Sequence, residues 1–224
     1  MTTQHQVSIA HLPPPAPGMR LTMTYDEYLA WAPETMLAEW TEGEVSVAMP
    51  PLWEHQRLIG LLHGLLNWLV DAQDLGIVAL APFEVRLLPG RSSREPDLLF
   101  VVRERLHLLG QQRFEGGPDL VMEIVSNDSV TRDYHDKRLE YQEAGVREYW
   151  IVDPRPRQRM ITLHRLDRNN LYHASNPISG DEEARSEAVP GFVLRPSWLW
   201  EEPTPHLATL LRRIAAPGLG EEPL

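Results

Sequence analysis

Cysteine is absent from the sequence, which excludes disulfides and zinc–thiolate centres. That absence is consistent with a cytoplasmic protein and does not by itself require one. No apolar run approaches the roughly 18 residues that a membrane span needs, so no membrane partner is expected. The opening stretch, MTTQHQVSIAHLPPPAPGMR, lacks a basic start followed by an apolar segment, and so does not read as a secretory signal. Positive charge is scarce: 21 Lys and Arg against 32 Asp and Glu leave a formal net charge of −11. A broad basic face for nucleic acid is therefore not expected, although a cluster of acids screened by metal ions is compatible with nuclease chemistry. The nine histidines form no H-x-H or H-E-x-x-H motif. His55 and His63 lie too far apart on a helix to share one ion comfortably, and His55 is expected to cap a helix or line a cleft.

What is present suits a globular fold, with 42% hydrophobic residues in 224. Residues 1–20 are rich in Pro and read as a flexible tail. Residues 21–200 read as a single domain, and 201–224 as a terminal helix and tail. Thr24 and Glu27 form a capping box ahead of a short helix over Tyr25–Trp31. Val45, Val47 and Met49 alternate with Glu44, Ser46 and Ala48, which predicts a half-buried strand after a turn at Glu42-Gly43. His55–Val70 carries a wide apolar face and predicts a buried helix. Gly60 and Gly64, four apart on it, leave a strip where another element can approach closely.

Three strands are expected over Ile77–Leu88, Asp97–Val102 and Asp119–Val125, with a short helix at Leu106–Leu109. A second long helix is expected over Arg132–Ala144, ended by Gly145, and a fourth strand over Glu148–Val152. Met160–Leu166 and Leu171–Ala174, joined by Asp167-Arg168-Asn169-Asn170, read as a hairpin. The order is helix, three strands, helix, strand, with a strand before it and a hairpin after it: an α/β fold.

Asp97 begins one predicted strand and Glu123 lies in the middle of another. If the strands are neighbours, both carboxylates can meet one divalent ion, because Mg²⁺ takes one or two carboxylates plus waters and substrate phosphate. An acid between Val121 and Val125 is costly to bury without a cation or metal beside it. Lys137 shares a helical face with Asp133 and Tyr141 and could orient a water or stabilise charge growing on phosphorus. Asp119 reads as a strand-start residue, Tyr149 and Trp150 as core, and Arg155, Arg157 and Arg159 as a solvated turn.

Taken together, PDLLFV, GGPDLVMEIVS, D-x-x-x-K, Y-x-x-x-GVREYW and IVDP resemble the Uma-two-type family of predicted restriction endonucleases, within the PD-(D/E)XK nuclease superfamily. The resemblance spans roughly Met23 to Leu194. It implies a restriction-endonuclease-like core of helix, three-stranded antiparallel meander, helix and strand. It implies Asp97 as metal-binding aspartate, Glu123 as the second acid, and a further glutamate from AEWTEGEV, with Glu39 the better match and Glu44 next. The superfamily lysine normally stands two residues after the acid, where this chain has Val125; Lys137 resembles the migrated lysine of such families. The implied function is a metal-dependent endonuclease that hydrolyses phosphodiester bonds in DNA with Mg²⁺ or Mn²⁺, with a homodimer as a candidate assembly. The competing readings are a catalytically inactive binding module of the same fold and a small-phosphodiester hydrolase.

Overall fold

The protein is described by a computed structural model over residues 12–32 and 37–214. The first eleven residues of the expected tail, and the last ten of the chain, lie outside the described residues. The N-terminal part comprises β1 (Arg20–Thr22), α1 (Tyr25–Trp31), β2 (Ala38–Thr41) and β3 (Glu44–Val47). The capping box forms as expected: the Thr24 side chain accepts from the Glu27 N–H, and the Glu27 carboxylate accepts from the Thr24 N–H. Glu42 and Gly43 both take positive φ, 48° and 91°, which suits the two-residue turn joining β2 to β3. The predicted strand ends at Val47 rather than Met49, and Met49 is exposed rather than inward-facing. Pro50-Pro51 follows at once and cannot donate to a ladder.

The long helix α2 (Trp53–Ala72) precedes β4 (Gly76–Leu80), β5 (Glu84–Leu88), β6 (Ser92–Arg94), β7 (Leu98–Val102), β8 (Arg113–Glu115) and β9 (Leu120–Ile124). The expected single strand over Ile77–Leu88 is thus two strands in different sheets. Pro82, which has no N–H to offer, lies in the break between them. A π-helical turn (Arg132–Asp136) runs into α3 (Lys137–Glu143), so the second predicted helix is part π and part α. Gly145, at φ +77°, ends it; its left-handed backbone is the conformation expected just past a helix C-terminus. Then come β10 (Glu148–Asp153), the hairpin β11 (Met160–Leu166) and β12 (Tyr172–Ala174), three two-residue strands, and the helices Pro196–Trp200 and Leu207–Ile214.

The principal sheet runs β12-β11-β10-β9-β7-β4. β4, β7 and β9 pair antiparallel, and β10 joins β9 in parallel across the α3 crossover. This is the expected core order with β5 and β6 inserted after β4 and β8 inserted after β7, all three belonging to the second sheet. Leu120, Met122 and Ile124 face α2, where Leu58, Leu62, Leu65 and Leu66 cover them. Val121 and Val125 face the other way, toward Tyr141 of α3 and Val85 and Phe114 of the second sheet. That second sheet has the order β1-β3-β2-β6-β5-β8.

The helix glycines divide. A Cβ on Gly64 would come within 2.8 Å of Leu207 Cδ2, so the terminal helix packs closely there; a Cβ on Gly60 would meet nothing within 4 Å. Among the described residues no helix is long and apolar enough to cross a membrane.

Candidate active site

Sheet register brings the two acids together. Leu98 pairs with Met122 and Leu99 with Val121. Continuing that antiparallel ladder by one residue sets Asp97 opposite Glu123, and directly opposed residues project from the same face with Cβ atoms about 4.5–5.5 Å apart. Asp97 Oδ2 accepts the Ile124 N–H at 2.8 Å and lies 3.2 Å from His55 Nε2. Glu123 Oε1 accepts from Lys137 Nζ at 2.8 Å and from Tyr141 OH at 2.6 Å. Each carboxylate is therefore anchored through one oxygen. Among the described residues no hydrogen bond reaches Asp97 Oδ1 or Glu123 Oε2.

Lys137 heads α3, and its ammonium enters the gap between the two sheets. Besides Glu123 it lies 3.3 Å from Glu39 Oε1 and 3.8 Å from Asp133 Oδ1. Glu39, on β2, is held again by Arg94 NH1 at 2.9 Å, and Arg94 turns its remaining nitrogens to Glu140. Ser129 donates to Asp133, whose carbonyl oxygen accepts from Tyr149 OH. All four expected residues, Asp97, Glu123, Lys137 and Glu39, thus meet in one cluster. Glu44 does not join it: it is exposed at the start of β3 and pairs with Arg20 at 2.9 Å. Asp119 is fully buried elsewhere, against the Val102 N–H, Arg105 and Arg147.

Burial raises the energy of every charge here, and the neighbours decide which acid yields. Burial pushes Glu39 up, but Lys137, Arg94 and Arg132 outweigh it and hold its carboxyl at about 2. Burial, with the charges of Asp97, Asp133 and Glu39, outweighs Lys137 and pushes Glu123 up to about 7. Glu95, beside Glu39, rises to about 8 through burial and the Glu39 charge. Lys137 itself is raised despite burial, because Glu123, Glu39 and Asp133 surround it. Burial pulls His55 down, but Asp97 more than compensates and its pKa rises. Glu123 and Glu95 are therefore the acids of this cluster that hold a proton near neutral pH, and Lys137 stays charged.

Several participants were not selected from the sequence. His55, expected to be a cap or a cleft residue, lies against Asp97. Arg94 and Arg132 had no local signal, because their partners come from distant segments. Asp133 and Tyr141 were visible only as residues sharing the face of Lys137.

The two open carboxylate oxygens fit a hard divalent cation, which needs only one or two carboxylates and completes its shell with water and phosphate. They do not make a site enclosed by protein alone: among the described residues no group of three His, Asp or Glu side chains is arranged to hold a metal.

This order of elements, with an acid pair and a lysine at one end of the sheet, defines a protein of the restriction-endonuclease-like α/β class. A model of the family described as "Putative restriction endonuclease", Uma2, matches residues 25–197, and the chain belongs to that family. Its fold is similar to a crystal structure from Anabaena variabilis described as a "putative nuclease belonging to DUF820". The TM-score is 0.65 at 20% identity, over 80% of this chain and 97% of that one. No curated protein matches the sequence.

Proposed function

We propose that this chain is a metal-dependent endonuclease that hydrolyses phosphodiester bonds in DNA with Mg²⁺ or Mn²⁺. The observation that carries the reading is the cross-strand pair Asp97 and Glu123, each anchored through one oxygen with the other open, and Lys137 at 2.8 Å from Glu123. A bound divalent ion would supply Lewis acidity to the phosphate and to a nearby water. Asp97 and Glu123 would hold it.

Lys137 keeps its proton at any working pH and so can donate a hydrogen bond to the attacking water or to a phosphate oxygen. Glu39 stays ionised and holds Lys137 through a second carboxylate, 3.3 Å from the ammonium. Tyr141, pushed well above its ordinary value by burial and by Glu123, stays a donor and fixes the carboxylate. His55 orients Asp97 and keeps Oδ2 engaged. Attack in line on phosphorus would form one P–O bond and break the opposite one, and the water proton would leave through the carboxylate cluster.

The test is cleavage of supercoiled plasmid by purified protein with Mg²⁺ or Mn²⁺, set beside RNA and a small phosphodiester. Loss of plasmid cleavage in Glu123→Ala and Asp97→Asn supports the reading. Wild-type cleavage that persists unchanged in Glu123→Ala removes the proposed mechanism. Activity on the small diester alone would move the assignment to that substrate class.

A further inference from the structure

The cations around the acids are not equally committed. Lys137 is shared by Glu123, Glu39 and Asp133, and Arg94 spans Glu39 and Glu140. Arg132 is different. It opens the π-helical turn, and its carbonyl oxygen accepts the Lys137 N–H, so the two residues are neighbours one π-turn apart. Its charge acts on Glu39, Asp133 and Lys137. Yet its side chain makes no ion pair or hydrogen bond among the described residues, and its Nε is buried without a partner. A buried polar nitrogen is normally paired, and the carboxylates its charge acts on, Glu39 and Asp133, leave this one unclaimed. π-helical turns also recur at functional sites.

A guanidinium presents a planar fork of donors that matches two oxygens of a phosphate. We propose that Arg132 is the phosphate-binding residue of this site. It would take a non-bridging oxygen of the nucleic-acid backbone and neutralise charge that grows there during hydrolysis. The inference rests on the phosphodiesterase reading. It also gives an acidic protein one local, uncommitted positive group where a polyanion must approach. The alternative is that Arg132 serves only the charge balance of Glu39 and Asp133.

Two measurements on the full chain separate these roles. One is plasmid cleavage with Mg²⁺; the other is binding of a short DNA duplex with Ca²⁺ replacing Mg²⁺, across about 50 to 200 mM salt. Arg132→Gln is expected to lower cleavage about 10²-fold and to reduce the slope of log K against log salt by about 0.9, the share of one phosphate. Arg132→Lys keeps the charge beside Glu39 and Asp133 and so guards against misfolding. It should retain the slope yet lose much of the rate, because an ammonium cannot replace the fork.

If both variants cleave like wild type with unchanged slopes, while Glu123→Ala is inactive, the Arg132 proposal is overturned and the nuclease reading stands. If wild type binds the duplex without cleaving it and Arg132→Gln lowers the slope, Arg132 stands and the catalytic reading falls. If wild type neither binds nor cleaves, both fall.

Discussion

Lys137 Nζ lies 2.8 Å from Glu123 Oε1, and both side chains are almost wholly buried. One ammonium there faces three carboxylates, those of Glu123, Glu39 and Asp133. The imbalance makes the cluster sensitive to loss of the lysine, and burial together with the surplus negative charge leaves Glu123 with a raised pKa.

Lys137→Met should therefore destabilise the protein by about 3 kcal/mol near pH 8, the lower end of what removing one partner of a buried pair costs. The loss should shrink toward pH 5, where Glu123 can take up a proton. Urea denaturation at both pH values measures it. Equal stability of variant and wild type at pH 8 would mean that the lysine is not the counter-charge of this cluster.

Glu39 and Glu123 should contribute to the pH dependence with opposite signs. The Glu39 pKa is depressed from 4.5 to about 2, so its contribution is complete above about 4.5 and disappears as pH falls through 2. That is on the order of 3 kcal/mol, and Glu39→Gln should flatten the acid limb of the stability profile. The Glu123 pKa is raised from 4.5 to about 7, so the native state holds the extra proton and metal-free stability falls as pH rises from about 4.5 to 7. Glu123→Gln should reduce that decline and leave the part contributed by Glu95, whose pKa is raised to about 8. Thermal melts in chelator from pH 2 to 8 test both, and a profile unmoved by either substitution contradicts the assignment.

Metal binding should compete with the Glu123 proton. The apparent affinity for Mn²⁺ should rise about tenfold per pH unit below about 7 and level off above it. Calorimetry at pH 6 in buffers of different ionisation enthalpy should register release of about one proton. Affinity that is flat between pH 6 and 8 would show that metal binding does not displace a proton from Glu123.

The helix glycines should respond differently to alanine. Gly60→Ala meets open space and should stabilise the protein by about 1 kcal/mol through helix propensity. Gly64→Ala places a methyl against Leu207 and should lose that gain or reverse it as the terminal helix shifts. Melting temperatures of the two variants decide the matter; equal gains would mean that the terminal helix yields without cost.

Much of the fold was legible because it is local. The alternation of Leu120, Met122 and Ile124 against Val121, Glu123 and Val125 already separated two faces. The Thr24–Glu27 box, the turn at Glu42-Gly43 and Gly145 marked ends of elements through single-residue backbone chemistry. The failures were also physical. The run Ile77–Leu88 is continuously compatible with a strand, and only the division at Ala81–Phe83, around Pro82, sends its halves to different sheets. Met49 fits the alternation but lies beyond the last paired residue of β3.

The sequence by itself determined that Glu123 would be an acid in an apolar strand, that Asp97 would open another, and that Lys137 would follow on a helix. Each statement depends on residues within a turn or two of each other. Only the tertiary structure decided that Glu39 from β2 would meet Lys137 and be held by Arg94 from β6, that His55 would lie against Asp97, and that the Arg132 Nε would be buried without a partner among the described residues. Those contacts join segments tens of residues apart through the packing of two sheets around α3. Their electrostatics exist only once burial strips water from the charges, and no local periodicity encodes that step.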